Sequence, residues 1–172
     1  MNVMEAITSR CSVRRFRPDA VPDEAVRRLI EAARRAPSAG NIQPWHFYVV
    51  KDEAKRGQLA RAALGQRFVA EAPLCLVVCA EPAASARVYR ERGAQLYCLQ
   101  DTAAAVQNIL LAALELGLGT CWVGAFDEEQ VRRVLGIPQE RRAVALIPVG
   151  YPAAETGRPT SRKEVEEICT WV

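Results

Sequence analysis

Four arginines and one serine stand close together near the N-terminus, within eight residues that contain no carboxylate: Arg10, Ser12, Arg14, Arg15 and Arg17. A phosphate monoester binds best where guanidinium groups, hydroxyls and backbone amides converge on it. Positions 10, 12 and 14 alternate and would face one side of an extended segment, whereas Arg15 and Arg17 would lie on the ordinary surface. The pattern predicts an anion site, most simply for a phosphate. A solvated arginine-rich loop fits these residues alone about equally well.

A second polar segment, PSAGNIQPW, begins at Pro37. Pro37 fixes a bend and Gly40 permits close backbone approach, while Ser38, Asn41 and Gln43 offer neutral donors and acceptors. Such groups suit the edge of a heteroaromatic ring. Taken alone, the segment is more typical of a helix C-terminal loop whose Asn and Gln side chains satisfy backbone groups.

Composition narrows the class of protein. The chain has 172 residues, half of them apolar, which suits one domain spanning 1–172 with a sizeable core. A net charge of +3 from 23 basic and 20 acidic residues does not indicate nucleic-acid binding. Six scattered cysteines and a single histidine favour a reducing cytoplasm and no metal site. We expect no membrane association.

Hydrophobic periodicity predicts the elements that carry the two polar segments. The pattern predicts helices over 2–9, 23–35, 52–64, 97–116 and 127–136, strands over 46–50, 74–80 and 143–150, and a short strand and turn within TCWVGAF. Cys75 and Cys79 are expected on one face of a buried strand. A polar region covers 81–93, and residues 151–172 are expected to form a C-terminal arm with a helix starting near Arg162. Strands separated by helices indicate α/β or α+β.

Four segments in this order resemble the FMN-dependent nitroreductase family: RCSVRRF, VPDEAVRRLIEAARRAPSAGNIQPWHFYVV, FVAEAPLCLVV and LQDTAAAVQNILLAALELGLGTCWVGAF. The resemblance covers nearly the whole chain. It implies an α+β fold in which helices flank a mostly antiparallel central sheet and one long helix is central. It also implies a homodimer with two FMN sites at the subunit interface, so that the two polar segments would belong to different subunits.

The resemblance also implies roles for individual residues. Arg10 and Ser12 would hold the FMN phosphate, Arg14 would reach the phosphate or the N1/O2 edge of the flavin, and the backbone of Cys11 would pass close by. The neighbouring subunit would contribute Pro37, Ser38, Ala39 and Asn41. Gln66 resembles an amide that bonds the pyrimidine edge.

Further roles fall near the end of the chain. Val123, Gly124 and Ala125 correspond to the turn beside flavin N5, with Gly124 where some relatives carry a glutamate. Arg162 is expected to give the phosphate a last basic contact, with Arg158 and Lys163 as substitutes. The polar region 81–93 matches a lid over the site in larger relatives.

The implied activity is hydride transfer from NADH or NADPH through flavin N5 to a small acceptor such as a nitroaromatic, a quinone or a flavin, in a ping-pong cycle. No catalytic side chain is required. Three alternatives remain: other flavin chemistry on the same scaffold, such as reductive dehalogenation or flavin fragmentation; a non-catalytic FMN carrier; and an interaction domain with an arginine-rich surface.

Overall fold

A four-stranded, entirely antiparallel sheet forms the centre of the protein, as seen in a computed structural model that describes residues 1–153 and 160–172. The strands are β1 (Trp45–Val50), β2 (Leu74–Ala80), β3 (Gly119–Thr120) and β4 (Arg142–Gly150), in the order β1-β2-β4-β3. β2 lies between β1 and β4 and is buried along its whole length, as expected of the apolar run LCLVVCA.

Helices cover both faces of this sheet. They are α1 (Val3–Ser9), α2 (Asp23–Arg34), α3 (Glu53–Ala62), α4 (Phe68–Glu71), α5 (Pro82–Arg92), α6 (Cys98–Glu115), α7 (Glu128–Leu135) and α8 (Val165–Ile168). A 3-10 turn at Ala39–Asn41 precedes β1, and a π-helical turn at Gly93–Tyr97 joins α5 to α6. The predicted α+β class, with an antiparallel sheet flanked by helices and one long helix, is confirmed.

Two cores result from the alternation of side chains along β2. Leu74, Leu76 and Val78 pack with α2 and α6 on one face. Cys75, Val77 and Cys79 face α3, α4 and α7 on the other. The two cysteines therefore share a face, as predicted, and burial raises the pKa of each to about 12. All six cysteines of the chain are free thiols.

The ends of several elements differ from the sequence-based bounds. Only Thr120 of the predicted TCWVGAF region lies in a strand, β3, which begins one residue earlier at Gly119; the chain then turns away from β4 and returns at Val123, which pairs with Leu146. Most of the polar region 81–93 forms a helix, α5. In the described part of the chain, no helix combines the length and apolar character needed to span a membrane.

Candidate cofactor site

The arginine-rich segment is extended and is held by two parts of the chain. α1 ends at Ser9, and the amide of Arg10 donates to the carbonyl of Ala6 at 3.1 Å. Beyond it, the amide of Val13 donates to the carbonyl of Thr120 at 2.8 Å. The amide of Ala153 then bonds the carbonyl of Arg15 at 3.0 Å. This extended backbone gives positions 10, 12 and 14 the common side that the sequence predicted.

All three predicted anion-binding side chains affect the pKa of one residue, Cys121. Burial raises the pKa of this thiol, and the rise is opposed by the charge of Arg14, by a hydrogen bond from Ser12 and by the charge of Arg10. The charges of Arg14 and Arg10 and the hydroxyl of Ser12 therefore all lower the pKa of the same thiol, which directly follows β3. Arg17 instead pairs with Asp19 at 2.9 Å, consistent with an ordinary surface role.

A small cavity of 130 Å³ lies beside this cluster, lined by Arg10, Cys11, Thr120 and Pro152 among others. Its walls combine a guanidinium group and backbone of β3 with apolar side chains of α6. The donor set, two guanidinium groups and a hydroxyl on an extended backbone, fits the phosphate of a bound nucleotide.

The turn after β3 stands next to this cluster. The amide of Val123 donates to the carbonyl of Leu146 at 2.9 Å, which fixes the start of the turn. Gly124 and Ala125 are exposed, and a Cβ added to Gly124 would have no neighbour within 4 Å. Gly124 also lines a cavity of 310 Å³ together with Trp122 and Thr102. The backbone beside Gly124 is therefore open to a ligand.

Gln66 joins this turn to the C-terminal end of α3. Its side-chain amide donates to the carbonyl of Ala125 at 3.3 Å and to that of Ala63 at 3.0 Å. The guanidinium of Arg14 lies 5.8 Å from the ring centroid of Phe68, two residues beyond Gln66. Of the predicted residues, Arg10 and Cys11 thus line one cavity, Arg10, Ser12 and Arg14 all affect the pKa of Cys121, and Gln66 contacts Ala125 of the turn that also contains Val123 and Gly124.

The second polar segment has different neighbours. The amide of Ala39 donates to the Asp101 carboxylate of α6 at 3.1 Å, and Gly40 lies against the Tyr89 side chain of α5. Pro37 and Asn41 are exposed and Ser38 is half-buried. Pro37, Ser38, Ala39 and Asn41 therefore form one group at the α5–α6 corner, apart from the contacts of the arginine cluster.

Three backbone positions in this loop occupy the left-handed region. The φ angles are 58° at Gly40 and 55° at both Asn41 and Gln43. Left-handed asparagine is tolerated, whereas glutamine there is uncommon and costs free energy. Such strained loops are held by their surroundings and are frequent at functional sites.

Asp101 is the residue of this region that the sequence reasoning missed. It is 7% exposed, and its Oδ2 atom has no hydrogen-bond partner. Burial raises the pKa of the carboxyl, and the hydrogen bond from Ala39 opposes that rise. Its only sequence signal was a single carboxylate in the otherwise uncharged stretch LQDTAAAV, which also fits the first turn of any helix.

The C-terminal segment carries the last predicted contact. The Arg162 guanidinium bonds the carbonyl and hydroxyl of Thr160 and the carbonyl of Ser161, so its described hydrogen bonds are local. Lys163 is exposed. Arg158 lies outside the described residues. The helix in this segment begins at Val165 rather than near Arg162.

Together, the antiparallel sheet with helices on both faces, the cationic cluster and the open turn beyond β3 define an α+β protein with a site suited to a phosphorylated ligand. A family model described as the nitroreductase family matches residues 7–67 and 60–151. The chain belongs to the nitroreductase family.

Three similar proteins illustrate the relationship. A protein named NADH dehydrogenase from Thermus thermophilus is 37% identical and aligns over 99% of this chain and 96% of its own length. The crystal structure of a putative NADH dehydrogenase/NAD(P)H nitroreductase from Parabacteroides distasonis has a TM-score of 0.85 at 31% identity, covering 97% of this chain and 96% of that one. The NADPH:FMN oxidoreductase of Vibrio harveyi, complexed with NAD+, has a TM-score of 0.88 at 26% identity, covering 98% of this chain and 76% of that one.

Proposed function

We propose that this protein is an FMN-dependent oxidoreductase that passes hydride from NADH or NADPH to a small acceptor, and that its site is completed by a second copy of the chain. The observation that carries the proposal is the placement of the Arg10–Arg14 segment against β3: Val13 bonds Thr120, Arg10 and Cys11 line a cavity with Thr120, and the open turn at Gly124 follows directly. Membership of the nitroreductase family supports the same reading.

The arginine cluster would hold the phosphate of the cofactor. Arg10 and Ser12 supply charge-assisted and neutral hydrogen bonds from one extended segment, and the backbone of Cys11 passes beside them. Arg162 of the C-terminal arm, at 151–172, would add a further cation once that arm is seated in the assembled protein.

The flavin ring would lie over the turn after β3. Gly124 and Ala125 would present backbone amides near its N5 side, and Gln66 would meet its pyrimidine edge. The second copy would contribute Pro37, Ser38, Ala39 and Asn41 to the other edge. FMN, when bound, supplies the carrier that takes hydride from a nicotinamide and returns it to an acceptor.

Catalysis would then depend on orienting the reactants and stabilising the developing charge, without a catalytic acid or base. Arg14 would stabilise the negative charge that develops at the N1/O2 edge during hydride transfer. The nicotinamide donor and the hydride acceptor would bind one after the other in the space beside this turn, as a ping-pong cycle requires. Gly124 puts no carboxylate there, and the space beside it is open. That openness favours acceptors of varied shape, such as nitroaromatics, quinones and free flavins.

The test is anaerobic titration of FMN-loaded protein with NADH and, separately, NADPH. We expect at least one of them to bleach the flavin absorbance, and a nitroaromatic or quinone to restore it. Failure of both nicotinamides with FMN firmly bound would contradict the oxidoreductase and leave the FMN carrier. Protein that gains no thermal stability from FMN would contradict flavin binding altogether and leave the interaction domain.

Other flavin chemistry on this scaffold is a separate outcome of the same preparation, favoured by the open position at Gly124. Turnover of a halogenated phenol by the reduced protein, or fragmentation of the flavin in air, would identify it.

The family fold with six free thiols is consistent with a single domain working in the cytoplasm.

A further inference from the structure

One buried carboxylate contacts the loop that would hold the flavin ring. Among residues 1–153 and 160–172, Asp101 is the one charged residue classed as buried. It lies in the first turn of α6, and its Oδ1 atom accepts the amide hydrogen of Ala39 across 62 positions of sequence. No hydrogen-bond partner meets Oδ2.

Packing does not account for a carboxylate at this position. Burying one costs free energy unless it is fully hydrogen-bonded, and half of this group is unpaired. The α6 residues one turn away, Cys98, Ala104 and Ala105, are apolar or small. Thr102 satisfies its own hydroxyl on the carbonyls of Cys98 and Leu99. An apolar side chain of the same size would fill the space at lower cost. The hydrogen bond that its Oδ1 atom accepts from Ala39 is therefore the interaction that can explain a carboxylate at this position.

The loop at 38–43 depends on Asp101 for its attachment to the rest of the fold. Within it, the amide of Asn41 bonds the carbonyl of Ser38 at 2.9 Å and the amide of Gln43 bonds the Ser38 hydroxyl at 3.0 Å. These local bonds shape the turn but do not fix it to the rest of the protein. Asp101 makes the hydrogen bond to the body of the fold, and the Tyr89 side chain closes over Gly40 from α5.

We propose that Asp101 is a positioning residue for the flavin-holding loop: its Oδ1 atom fixes the Ala39 amide, and through it Ser38 and Asn41, in the geometry that an FMN ring from a second copy requires. The inference rests on the proposed function. Asp101 itself does not touch the cofactor.

Two substitutions separate the acceptor from the space it fills. Asp101→Asn keeps an oxygen at the Oδ1 position, whereas Asp101→Leu keeps the volume without an acceptor. We expect Asp101→Leu to raise the exchange rate of the Ala39 amide hydrogen in the FMN-free protein and to raise the Kd for FMN, each by about tenfold, on the scale of one lost hydrogen bond. Asp101→Asn should leave both within about threefold of the parent.

Ser85→Ala is the matched control. Its hydroxyl is buried and unpartnered in α5, close to Gly93 at the same corner, and it makes no hydrogen bond to the loop. It should change neither measurement. If Asp101→Leu fails to fold, Asp101→Ala removes the acceptor without adding apolar volume.

Equal effects of Asn and Leu would overturn the positioning role, and so would faster Ala39 exchange with unchanged FMN affinity. A parent protein that does not bind FMN overturns the proposed function, and the positioning role falls with it. Parent protein that binds FMN while Asp101→Leu matches it in both measurements overturns only the role of Asp101.

Discussion

Arg10, Ser12 and Arg14 all lower the pKa of the Cys121 thiol, which follows β3. An anion between two guanidinium groups relieves the repulsion between their charges. The nearest acidic residue to this segment in sequence, Asp19, is paired with Arg17 instead. We therefore expect the cluster to interact more favourably with a bound anion than with any acidic side chain of its own segment.

Replacing Arg10 by alanine should weaken FMN binding. The loss of one charge-assisted hydrogen bond is about 1.5–3 kcal/mol, which corresponds to a rise in Kd of roughly 10- to 150-fold. Fluorescence titration of the FMN-free protein measures it. Arg17→Ala serves as the control from the same segment, because that side chain is engaged with Asp19 and should leave the Kd unchanged. Equal Kd values for both variants would remove Arg10 from the phosphate site.

Residue patterns predicted the cluster because an extended segment places alternate side chains on one side, and the backbone bonds at Val13 and Arg17 confirm that extension. Asp101 escaped prediction for a physical reason. A carboxylate near the start of a helix interacts favourably with the helix dipole whether it is exposed or buried, so its position in the sequence does not indicate burial. Only the fold shows that it meets Ala39 from a distant part of the sequence.

At the scale of helices and loops, the loop at 38–43 packs against the corner where α5, the π-helical turn and α6 meet. Tyr89 and Tyr97 form an edge-to-face pair there, with ring centroids 5.1 Å apart. Arg92 donates to the Tyr97 hydroxyl at 3.0 Å. π-Helical turns are often found at functional positions. The region predicted as a lid thus contains a helix, α5, whose Tyr89 side chain lies against the loop at Gly40, and a role in covering the site stays a prediction.

Gly40→Ala should destabilise the protein and weaken FMN binding together. The left-handed φ of 58° costs about 1–2 kcal/mol for alanine, and the new Cβ would lie 2.7 Å from the Tyr89 hydroxyl. Urea unfolding measures the first effect and FMN titration the second.

Gly57→Ala is the matched control for that change. Gly57 lies inside α3 with no atom within 4 Å of an added Cβ. The same substitution should there stabilise the protein by about 0.5–1 kcal/mol and leave FMN affinity unchanged. Gly40→Ala with the stability and FMN affinity of the parent would show that the loop is not held in this conformation.

Periodicity predicted the main helices and strands because each buries a regular apolar face, as α6 does with Val106, Ile109 and Ala113. It did not predict how short β3 is or where the π-helical turn lies. Both depend on packing between segments. For example, a Cβ added to Gly119 would lie within 3 Å of the Val13 side chain, so only glycine fits there. No local pattern encodes that contact.

For the whole molecule, the two polar segments contact different parts of the fold, the arginine cluster next to β3 and the loop next to Asp101. Both ends of the chain expose large apolar side chains, among them Val3, Met4 and Ile7 of α1 and Ile168 and Trp171 of the C-terminal segment. Such clusters on the surface are typical of protein interfaces. We expect the proposed dimer to cover part of this apolar surface and to bring the loop of one copy to the cluster of the other.

Mixed dimers test this account most directly. One copy carries Arg10→Ala and the other Asn41→Ala; the two are separately tagged, co-expressed and isolated as the mixed species. One of its two sites then combines an intact arginine cluster with an intact loop. At FMN concentrations between the parent and variant Kd values, we predict that the mixed dimer holds about half the parental FMN, bleached by NADH or NADPH, while either variant alone holds little. A mixed species no better than the two variant proteins would contradict a site shared between copies.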